Sequence, residues 1–373
     1  MKRLSRRRFL VGAGTASLTL GASAGWADAG SPRFLAAGKD AAGYKLIGLG
    51  PDGTLRFEIP LPSRGHAAAA HPERAEAVAF ARRPGTYAVV IDCVTGDVRH
   101  RLEAEPGRHF FGHGVYSRDG KTLVTTENAY ASGDGRLGLW DASSGYRRIG
   151  DISSGGIGPH EVVRLPGSDI LAVANGGIRT HPESGRDKLN LGTMRPNLTY
   201  VDAPSGAVID QVEPDDALRL NSVRHLAVSP DGRIAVATQW QGDPQDGVPL
   251  VAFHRLAEPG LRFADADPID LSLMQGYAGS VAFTGDGTRA AITSPRGGRV
   301  MAWDVAGGPP DIWSRPDVCG LSTHSTGWIA TDGLGGVVAL DAGIRPHPLT
   351  RLPVAFDNHL VGVAPSAPST RDL

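Results

Sequence analysis

His225-Leu-Ala-Val-Ser-Pro-Asp-Gly-Arg-Ile-Ala-Val-Ala, residues 225–237, is the stretch that decides the fold. A short apolar run opens on a histidine, a Ser-Pro-Asp-Gly turn follows, and a second run of small and β-branched residues comes next. Aspartate and glycine favour tight turns, and the apolar runs suit the strands of a buried antiparallel sheet. The stretch therefore predicts a hairpin whose first strand begins at His225.

The same unit recurs along the chain, with histidine in five of the seven equivalent positions and serine or cysteine in the other two. These slot positions are His66, His113, His160, His225, Ser280, Cys319 and His359. They are spaced 39 to 65 residues apart, close to the roughly 40–50 residues of a propeller blade that carries loop insertions. Third strands, as at residues 137–141 and 300–304, also number seven. The sequence therefore predicts an all-β fold, a seven-bladed β-propeller.

The two ends of the chain each supply part of one unit. Residues 359–364 form a first strand with no second strand after it, whereas residues 33–59 contain a second, third and fourth strand without a first. We expect one C-terminal and three N-terminal strands to build the last blade together, which closes the ring and removes open sheet edges. Residues 30–373 are accordingly predicted to be a single propeller domain.

The first 29 residues have the character of an export signal. Ser5-Arg-Arg-Arg-Phe-Leu fits the twin-arginine pattern, a moderately apolar stretch follows, and Ala27-Asp-Ala is an A-x-A cleavage signal. Residues 1–29 are therefore predicted to be a twin-arginine signal peptide that directs the protein to the periplasm. After cleavage we expect no stable membrane insertion, and an uncleaved membrane anchor is the alternative.

Composition excludes some classes of partner. The chain has 38 Lys and Arg against 39 Asp and Glu, so no net field attracts nucleic acid or an anionic membrane. We expect a monomer that binds no nucleic acid. The two cysteines, Cys93 and Cys319, fall in different predicted blades, and we expect them to lie too far apart for a disulfide.

The slot positions carry the chemistry, because equivalent positions of all blades converge on the central channel. The chain has twelve histidines, and five in seven equivalent slots is far from a chance distribution. Imidazole binds zinc, copper, iron and nickel, and a thiolate biases a site toward copper or zinc. The pattern predicts a transition-metal site at the channel mouth, with ligands drawn from His66, His113, His160, His225, His359 and Cys319. The alternative is a wet polar channel that the histidines merely line.

Further polar residues are expected around the same mouth. Glu161 and Asn358 neighbour slot histidines and can fix the imidazole tautomers. Second-strand ends and the arc without histidine supply the rest of this group: Asn175, Gln239, Ser280 and Arg296. An insertion at residues 176–197 is predicted to lie on the same face.

Phe111-Gly-His113-Gly, Gly158-Pro-His160-Glu and Asp357-Asn-His359 resemble the exported bacterial proteins grouped as domain of unknown function 1513. The resemblance covers essentially the whole chain after the leader, including Thr180-His-Pro and Lys188-Leu-Asn-Leu in the insertion. It implies a twin-arginine-exported periplasmic protein, encoded near iron-uptake proteins of the imelysin and dihaem-peroxidase types, and it carries no assigned activity or catalytic residues. It shifts the expected metal toward iron or haem, whereas ligand chemistry alone favours copper.

These observations lead to one leading hypothesis and two rivals. The leading one is a periplasmic propeller that binds iron or copper, or a metal complex such as haem, in metal acquisition, with periplasmic iron-uptake proteins as partners. The first rival is a metal-dependent oxidoreductase or hydrolase that uses an open coordination position. The second is an interaction scaffold for iron-uptake proteins whose channel holds no metal.

Overall fold

The protein is a propeller of seven antiparallel sheets. A computed structural model describes residues 24–82, 86–185 and 187–363. Within them, every sheet has four strands, and each sheet is one blade around the central channel. The predicted all-β, seven-bladed architecture is confirmed.

The first half of the chain contributes fifteen strands. The N-terminal three are β1 (Phe34–Asp40), β2 (Gly43–Leu49) and β3 (Leu55–Leu61). Blade 1 consists of β4 (Gly65–Ala70), β5 (Glu76–Ala81), β6 (Tyr87–Asp92) and β7 (Val98–Glu103). Blade 2 consists of β8 (Arg108–Tyr116), β9 (Thr122–Ala129), β10 (Asp134–Asp141) and β11 (Arg147–Ser153). Blade 3 consists of β12 (Pro159–Arg164), β13 (Ile170–Asn175), β14 (Asn197–Asp202) and β15 (Ala207–Val212).

The second half completes the ring. Blade 4 consists of β16 (Asn221–Val228), β17 (Ile234–Trp240), β18 (Val251–His254) and β19 (Arg262–Phe263). Blade 5 consists of β20 (Ser280–Phe283), β21 (Arg289–Ser294), β22 (Arg299–Asp304) and β23 (Asp311–Ser314). Blade 6 consists of β24 (Val318–His324), β25 (Gly327–Asp332), β26 (Gly336–Leu340) and β27 (Pro346–Arg351), and the last strand is β28 (Ala355–Gly362). The described helices are short: α1 (Pro268–Ser272) and 3-10 turns at Pro182–Ser184, Leu191–Thr193, Asp216–Leu218 and Pro244–Asp246.

Blade 7 joins the two ends of the chain. Its strand order is β28-β1-β2-β3, and β28 pairs with β1 in an antiparallel register that places Phe34 opposite Gly362. The predicted closure by one C-terminal and three N-terminal strands is confirmed. Closure gives β1 a hydrogen-bonded neighbour on each side, β28 and β2, and completes the seventh four-stranded sheet.

Apolar second and third strands hold the blades together. Residues 234–237 of β17 are completely buried, because the two faces of a blade pack against the blades on either side. Outer strands instead meet solvent, and Val208 and Ile209 of β15 are each 45% exposed. The predicted runs of small and β-branched residues thus form the packed core between blades.

Six of the seven innermost strands begin before their slot residue, and the same six are irregular there. In β8 the pairing register shifts between Phe110 and Gly114, and in β16 it shifts between Val223 and His225. The innermost strands of blades 1, 3, 6 and 7 shift at the same point, whereas β20 pairs regularly from Ser280 onward. A β-bulge leaves a residue out of the ladder, bends the strand and re-aims a side chain. The slot histidines lie at or beside these irregularities.

The described chain begins inside the predicted signal segment. Trp26 is 2% exposed, packs in the cluster that contains Leu35 and Ile91, and donates from Nε1 to the carbonyl of His71 at 2.9 Å. Residues 1–23, which carry the predicted twin-arginine motif, lie outside the described residues. In the part of the chain that is described, no helix has the length and apolar character to cross a bilayer.

Candidate metal centre

Five imidazole rings from consecutive blades meet in the central channel. The ring of His113 contacts the other four, with centroid distances of 4.9 Å to His66, 5.0 Å to His160, 5.8 Å to His225 and 4.7 Å to His359. The centroid distance is 4.6 Å between His66 and His359, and 4.7 Å between His225 and each of His160 and His359. The five slot histidines, here called the histidine cluster, therefore form a compact group.

A glycine makes this packing possible. Gly112, directly before His113, has a φ of 100°, and a Cβ atom there would lie 2.6 Å from Cδ2 of His66. A side chain at this position would be strained in its backbone and would collide with the neighbouring imidazole. The Gly-His pair in blade 2 thus lets two rings from adjacent blades approach each other.

Two groups of three histidines have the spacing of metal ligands. One comprises His66, His113 and His160, and the other comprises His113, His225 and His359. Within each group the three ligand nitrogens lie within 4.8 Å of one another. The channel therefore contains two buried groups of histidines that can hold a metal ion, and His113 belongs to both groups.

Glu161 orients two of the rings. Nδ1 of His225 donates to Oε2 of Glu161 at 3.2 Å, and Nδ1 of His113 lies 3.5 Å from Oε1. Burial works to raise the pKa of Glu161, but the imidazoles of His113 and His225 outweigh it and hold the pKa below its ordinary value. An ionised carboxylate only accepts hydrogen bonds, so Nδ1 of His225 carries the hydrogen and Nε2 keeps its lone pair.

Asp357 provides a second carboxylate beside the cluster. Its Oδ1 lies 3.9 Å from Nδ1 of His66, and it accepts hydrogen bonds from Arg64 Nε at 2.6 Å and Arg82 Nη1 at 3.3 Å. Burial opposes its ionisation, but His66 and Arg64 lower the pKa of this carboxyl more strongly. Asp357 thus stays anionic and links blade 7 to blade 1.

Several imidazole nitrogens make no hydrogen bond to any of the described residues. Among the described residues, His66 Nδ1, His113 Nε2, His160 Nδ1 and His359 Nε2 are buried without a hydrogen bond. Buried polar atoms are nearly always paired, so four such nitrogens in one cluster call for an explanation. A metal ion, which takes the lone pair of a neutral imidazole, provides one.

The electrostatics keep most of these rings neutral. Burial lowers the pKa of His66 from 6.5 to about 3, despite the nearby carboxylate. Burial, with the charges of neighbouring groups, also holds the pKa values of His160 and His359 well below the ordinary range. Burial lowers the pKa of His225 too, although its carboxylate partner opposes the change. Neutral imidazole is the form that binds metals, so these four rings are ready as ligands at neutral pH.

Cys319 lies apart from the expected ligand set. Its Sγ is within hydrogen-bond distance of the carbonyls of Thr331, Phe356 and Asp357, at 3.5, 3.6 and 3.3 Å, and it belongs to neither three-histidine group. Burial raises the pKa of the thiol to about 12, so it is not a thiolate at neutral pH. The side chain packs between blades 6 and 7, in the apolar cluster that contains Phe34 and Leu360, and the slot spacing does not reveal this placement.

Asn175 also differs from its predicted place. Asn175 is completely buried, and its amide bonds to Ser154 and Asn197, so it joins blades 2 and 3 instead of facing the mouth. Ser280 lines the channel beyond the cluster, with its Oγ 3.4 Å from the carbonyl of Leu321. The place of Asn175 depends on the alternation of side chains along a strand, which a slot register does not resolve.

The remaining expected residues border a cavity of about 300 Å³ above the cluster, here called the upper cavity. Gln239, Arg296 and Asn358 line it together with His66, His160 and His225. A second cavity, of about 770 Å³, is lined by His113, Glu161, His225 and His359. The histidine cluster thus separates two parts of the channel. The slot pattern did not predict three basic residues that also line the upper cavity, Arg82, Lys188 and Arg224. Arg224 could have been predicted, because it directly precedes a slot histidine.

The fold and the cluster define a seven-bladed β-propeller with buried histidines that can hold a metal ion. The family described as Protein of unknown function (DUF1513) matches residues 59–363, and the chain belongs to this family. The sequence resemblance is thereby confirmed, while the iron-uptake gene neighbourhood stays a prediction.

Other comparisons add the fold alone. A chain of the Kuenenia stuttgartiensis hydrazine synthase is similar with a TM-score of 0.59 and 14% identity, over 83% of this chain and 89% of that one. At this identity the similarity supports the propeller architecture and carries no function. Comparison with curated proteins finds no significant match.

Proposed function

We propose that the histidine cluster binds one transition-metal ion, iron or copper, and that the protein serves metal acquisition. The observation that carries the proposal is the set of four buried imidazole nitrogens without a hydrogen bond among the described residues. A channel that only held water would be served equally well by hydroxyl or amide side chains. Neutral, buried and closely spaced imidazoles instead suit a metal.

His113, His225 and His359 form the better prepared of the two ligand groups. Glu161 fixes Nδ1 of His225 and faces Nδ1 of His113, which directs Nε2 of both rings away from the carboxylate. Nε2 of His359 is buried and has no hydrogen bond to the part of the chain that the structure describes. Carboxylates that hold ligating histidines in this way are a common second layer of metal sites.

The shared ligand sets the expected stoichiometry. His113 belongs to both groups, and a neutral imidazole offers a single lone pair. Two ions at once would require the neutral ring of His113 to lose its single N–H proton as well. The proposal is therefore one ion per chain, with the remaining histidines close to it in the channel.

The donor set bears on which metal is bound. Cys319 supplies no thiolate, so the reason for a copper or zinc bias from sulfur is gone. Imidazole alone suits copper, iron, zinc and nickel, and copper binds most tightly among divalent ions. A bare ion fits better than haem, because ring centroids 4.6–5.8 Å apart leave no space between the imidazoles for a macrocycle.

The cellular setting is part of the same proposal. The twin-arginine motif of residues 5–10 supports export to the periplasm, where an acquired metal first becomes accessible. Periplasmic iron-uptake proteins are the proposed partners.

A metal-dependent oxidoreductase or hydrolase is the second candidate, and the upper cavity favours it. Three protein ligands leave open coordination positions on an ion, and the cavity beside His66, His160 and His225 can admit a small molecule. Turnover of candidate substrates by metal-loaded protein, absent without metal, distinguishes this enzyme from a binder.

Metal titration tests the proposal. Metal-free protein is titrated with Cu(I), Cu(II), Fe(II) and Fe(III), each under the matching redox condition, and compared with the double variant His113→Ala/His225→Ala. The matched control is His100→Ala/His347→Ala, which removes two histidines from the outermost strands β7 and β27. One ion per wild-type chain, lost only in the cluster variant, supports the proposal. Failure of every ion to bind wild type contradicts it and favours the scaffold.

A further inference from the structure

The upper cavity carries a concentration of positive charge that the metal site does not require. Arg82, Lys188, Arg224 and Arg296 line it, and no aspartate or glutamate is part of its lining among the described residues. Gln239, Gln241 and Asn358 add amide groups to the same wall. In a chain whose charges otherwise balance, this gathering is local and directed at one space.

The four cations lie at two depths. Arg82 and Arg224 are half-buried next to the histidines, whereas Lys188 and Arg296 are exposed at the rim. Asp357, which is not part of the lining, accepts hydrogen bonds from both Arg82 and Arg64. A lining with four cations and no carboxylate among the described residues favours a positive potential in the cavity.

Repulsion among the cations shows how closely they are held. Partial burial, followed by the charges of Arg224 and Arg296, lowers the pKa of Lys188 below its ordinary value. Lys188 comes from the blade 3 insertion, Arg224 from blade 4 and Arg296 from blade 5. Three separate segments thus bring like charges together at a cost in free energy, which a bound anion would offset.

Arg296 is also positioned by its neighbours. Its guanidinium lies 4.4 Å from the ring centroid of Tyr277, and the hydroxyl of Tyr277 accepts a hydrogen bond from Asn358 Nδ2 at 3.0 Å. Stacking on an aromatic ring leaves the edge of a guanidinium available for a bidentate pair with a carboxylate or phosphate.

We propose that the upper cavity is an anion-binding site for a small molecule that carries two or more carboxylate or phosphate groups. The volume of about 300 Å³ lies at the small end of ligand pockets and suits a compact di- or tri-anion. The site stands without a metal, because its cations and amides are in place in the protein alone. Its floor contains His66, His160 and His225, so a bound anion lies directly above the histidine cluster.

Calorimetric titration of metal-free protein tests the site. Citrate and pyrophosphate are the two probes, and trimethyl citrate is the neutral analogue of the first. We expect at least one anion to bind with one-to-one stoichiometry, more weakly as salt is raised, and the ester not to bind. Tighter binding of citrate assigns the site to carboxylates, and tighter binding of pyrophosphate assigns it to phosphates.

Two double variants that each remove two positive charges distinguish the loss of the site from a change in net charge. Lys188→Gln/Arg296→Gln should lower the affinity for the anion at least about tenfold, as expected for lost charge-assisted hydrogen bonds. Lys121→Gln/Arg101→Gln is the control, because Arg101 also stacks over a tyrosine, Tyr87, at 4.8 Å but lies on the outer strand β7. Binding of neither anion, equal binding of the ester, or equal loss in both double variants would overturn the proposal.

Discussion

The carboxylate of Glu161 accepts a hydrogen bond from Nδ1 of His225 at 3.2 Å, across the boundary between blades 3 and 4. The same oxygen accepts the backbone N–H of Leu226 at 3.1 Å, so Glu161 is fixed by the strand that carries the histidine. One carboxylate thereby sets the tautomer of a proposed ligand and joins blade 3 to blade 4 by two hydrogen bonds.

Glu161→Gln is expected to weaken metal binding by about 10- to 100-fold, the usual range when the partner of a ligating histidine is lost. An amide in place of the carboxylate no longer enforces the hydrogen on Nδ1 of His225 and removes a charge that faces His113. Affinity is measured by competition with a chelator of known strength. Glu103→Gln, on the exposed strand β7, is the control, and equal affinity of both variants would exclude an orienting role for Glu161.

Gly112→Ala should both destabilise the protein and disturb the cluster. The new methyl group would occupy a backbone with φ of 100° and lie 2.6 Å from the ring of His66. The expected loss is about 1–3 kcal/mol of unfolding free energy, together with weaker metal binding.

Gly107→Ala separates the two effects. Gly107 has a φ of 83° but no atom within 4 Å of an added Cβ, so its variant has the backbone strain without the collision. Denaturant unfolding and metal titration are measured on both. If Gly107→Ala weakened metal binding as much as Gly112→Ala, the contact with His66 would not be the cause.

Metal-free protein should lose stability as the pH falls below about 6.5. The folded state holds the pKa of His66 at about 3 against an ordinary value of 6.5, so between these values the unfolded chain takes up a proton that the folded chain refuses. The contribution of His66 to the free energy of unfolding is therefore fully present above pH 6.5 and is lost as the pH falls toward 3. The lowered pKa values of Glu161 and Asp357 act in the same direction at lower pH.

Thermal unfolding between pH 8 and pH 4 measures this dependence. His66→Gln removes one of the buried groups and should flatten the curve below about pH 6.5, where the unfolded chain takes up the proton of this histidine. His347→Ala, at a 64% exposed side chain, should leave the curve unchanged. An identical pH dependence in wild type and His66→Gln would contradict the assignment of a buried neutral imidazole.

The sequence predicts the seven blades more completely than it predicts the residues of the candidate metal site. The repeat predicted the blades, their number and the joining of both chain ends, because apolar period and turn residues decide strand pairing. The slot register also predicted that five histidines meet. It failed for Cys319, which packs between blades 6 and 7, and for Asn175, which bonds to neighbouring strands, because the spacing of a repeat does not show which way each side chain points. Asp357 and Arg82 were missed because their roles depend on contacts between segments distant in sequence.

The burial of Trp26 bears on the position at which the predicted signal peptide is cleaved. The predicted cleavage after Ala29 would remove a side chain that is 2% exposed and donates to the carbonyl of His71. Ala22-Ser-Ala is a second A-x-A sequence, and cleavage after Ala24 would keep Trp26. We therefore expect the mature chain to begin at Gly25, and Trp26→Ala to cost about 3–5 kcal/mol.

Amino-terminal sequencing of the exported protein and denaturant unfolding of Trp26→Ala check this expectation. Val98→Ala, at a 49% exposed position on strand β7, is the control and should change stability little. A mature chain that begins at Gly30 and unfolds at the same denaturant concentration as one that begins at Gly25 would contradict it.

The central claim is tested most directly by the metal content of protein exported through its own pathway and purified without a tag or added metal. Elemental analysis should find one iron or copper per wild-type chain and none in His113→Ala/His225→Ala, while His100→Ala/His347→Ala keeps the wild-type content. Wild-type protein without a transition metal, or a cluster variant that retains it in full, would contradict the account.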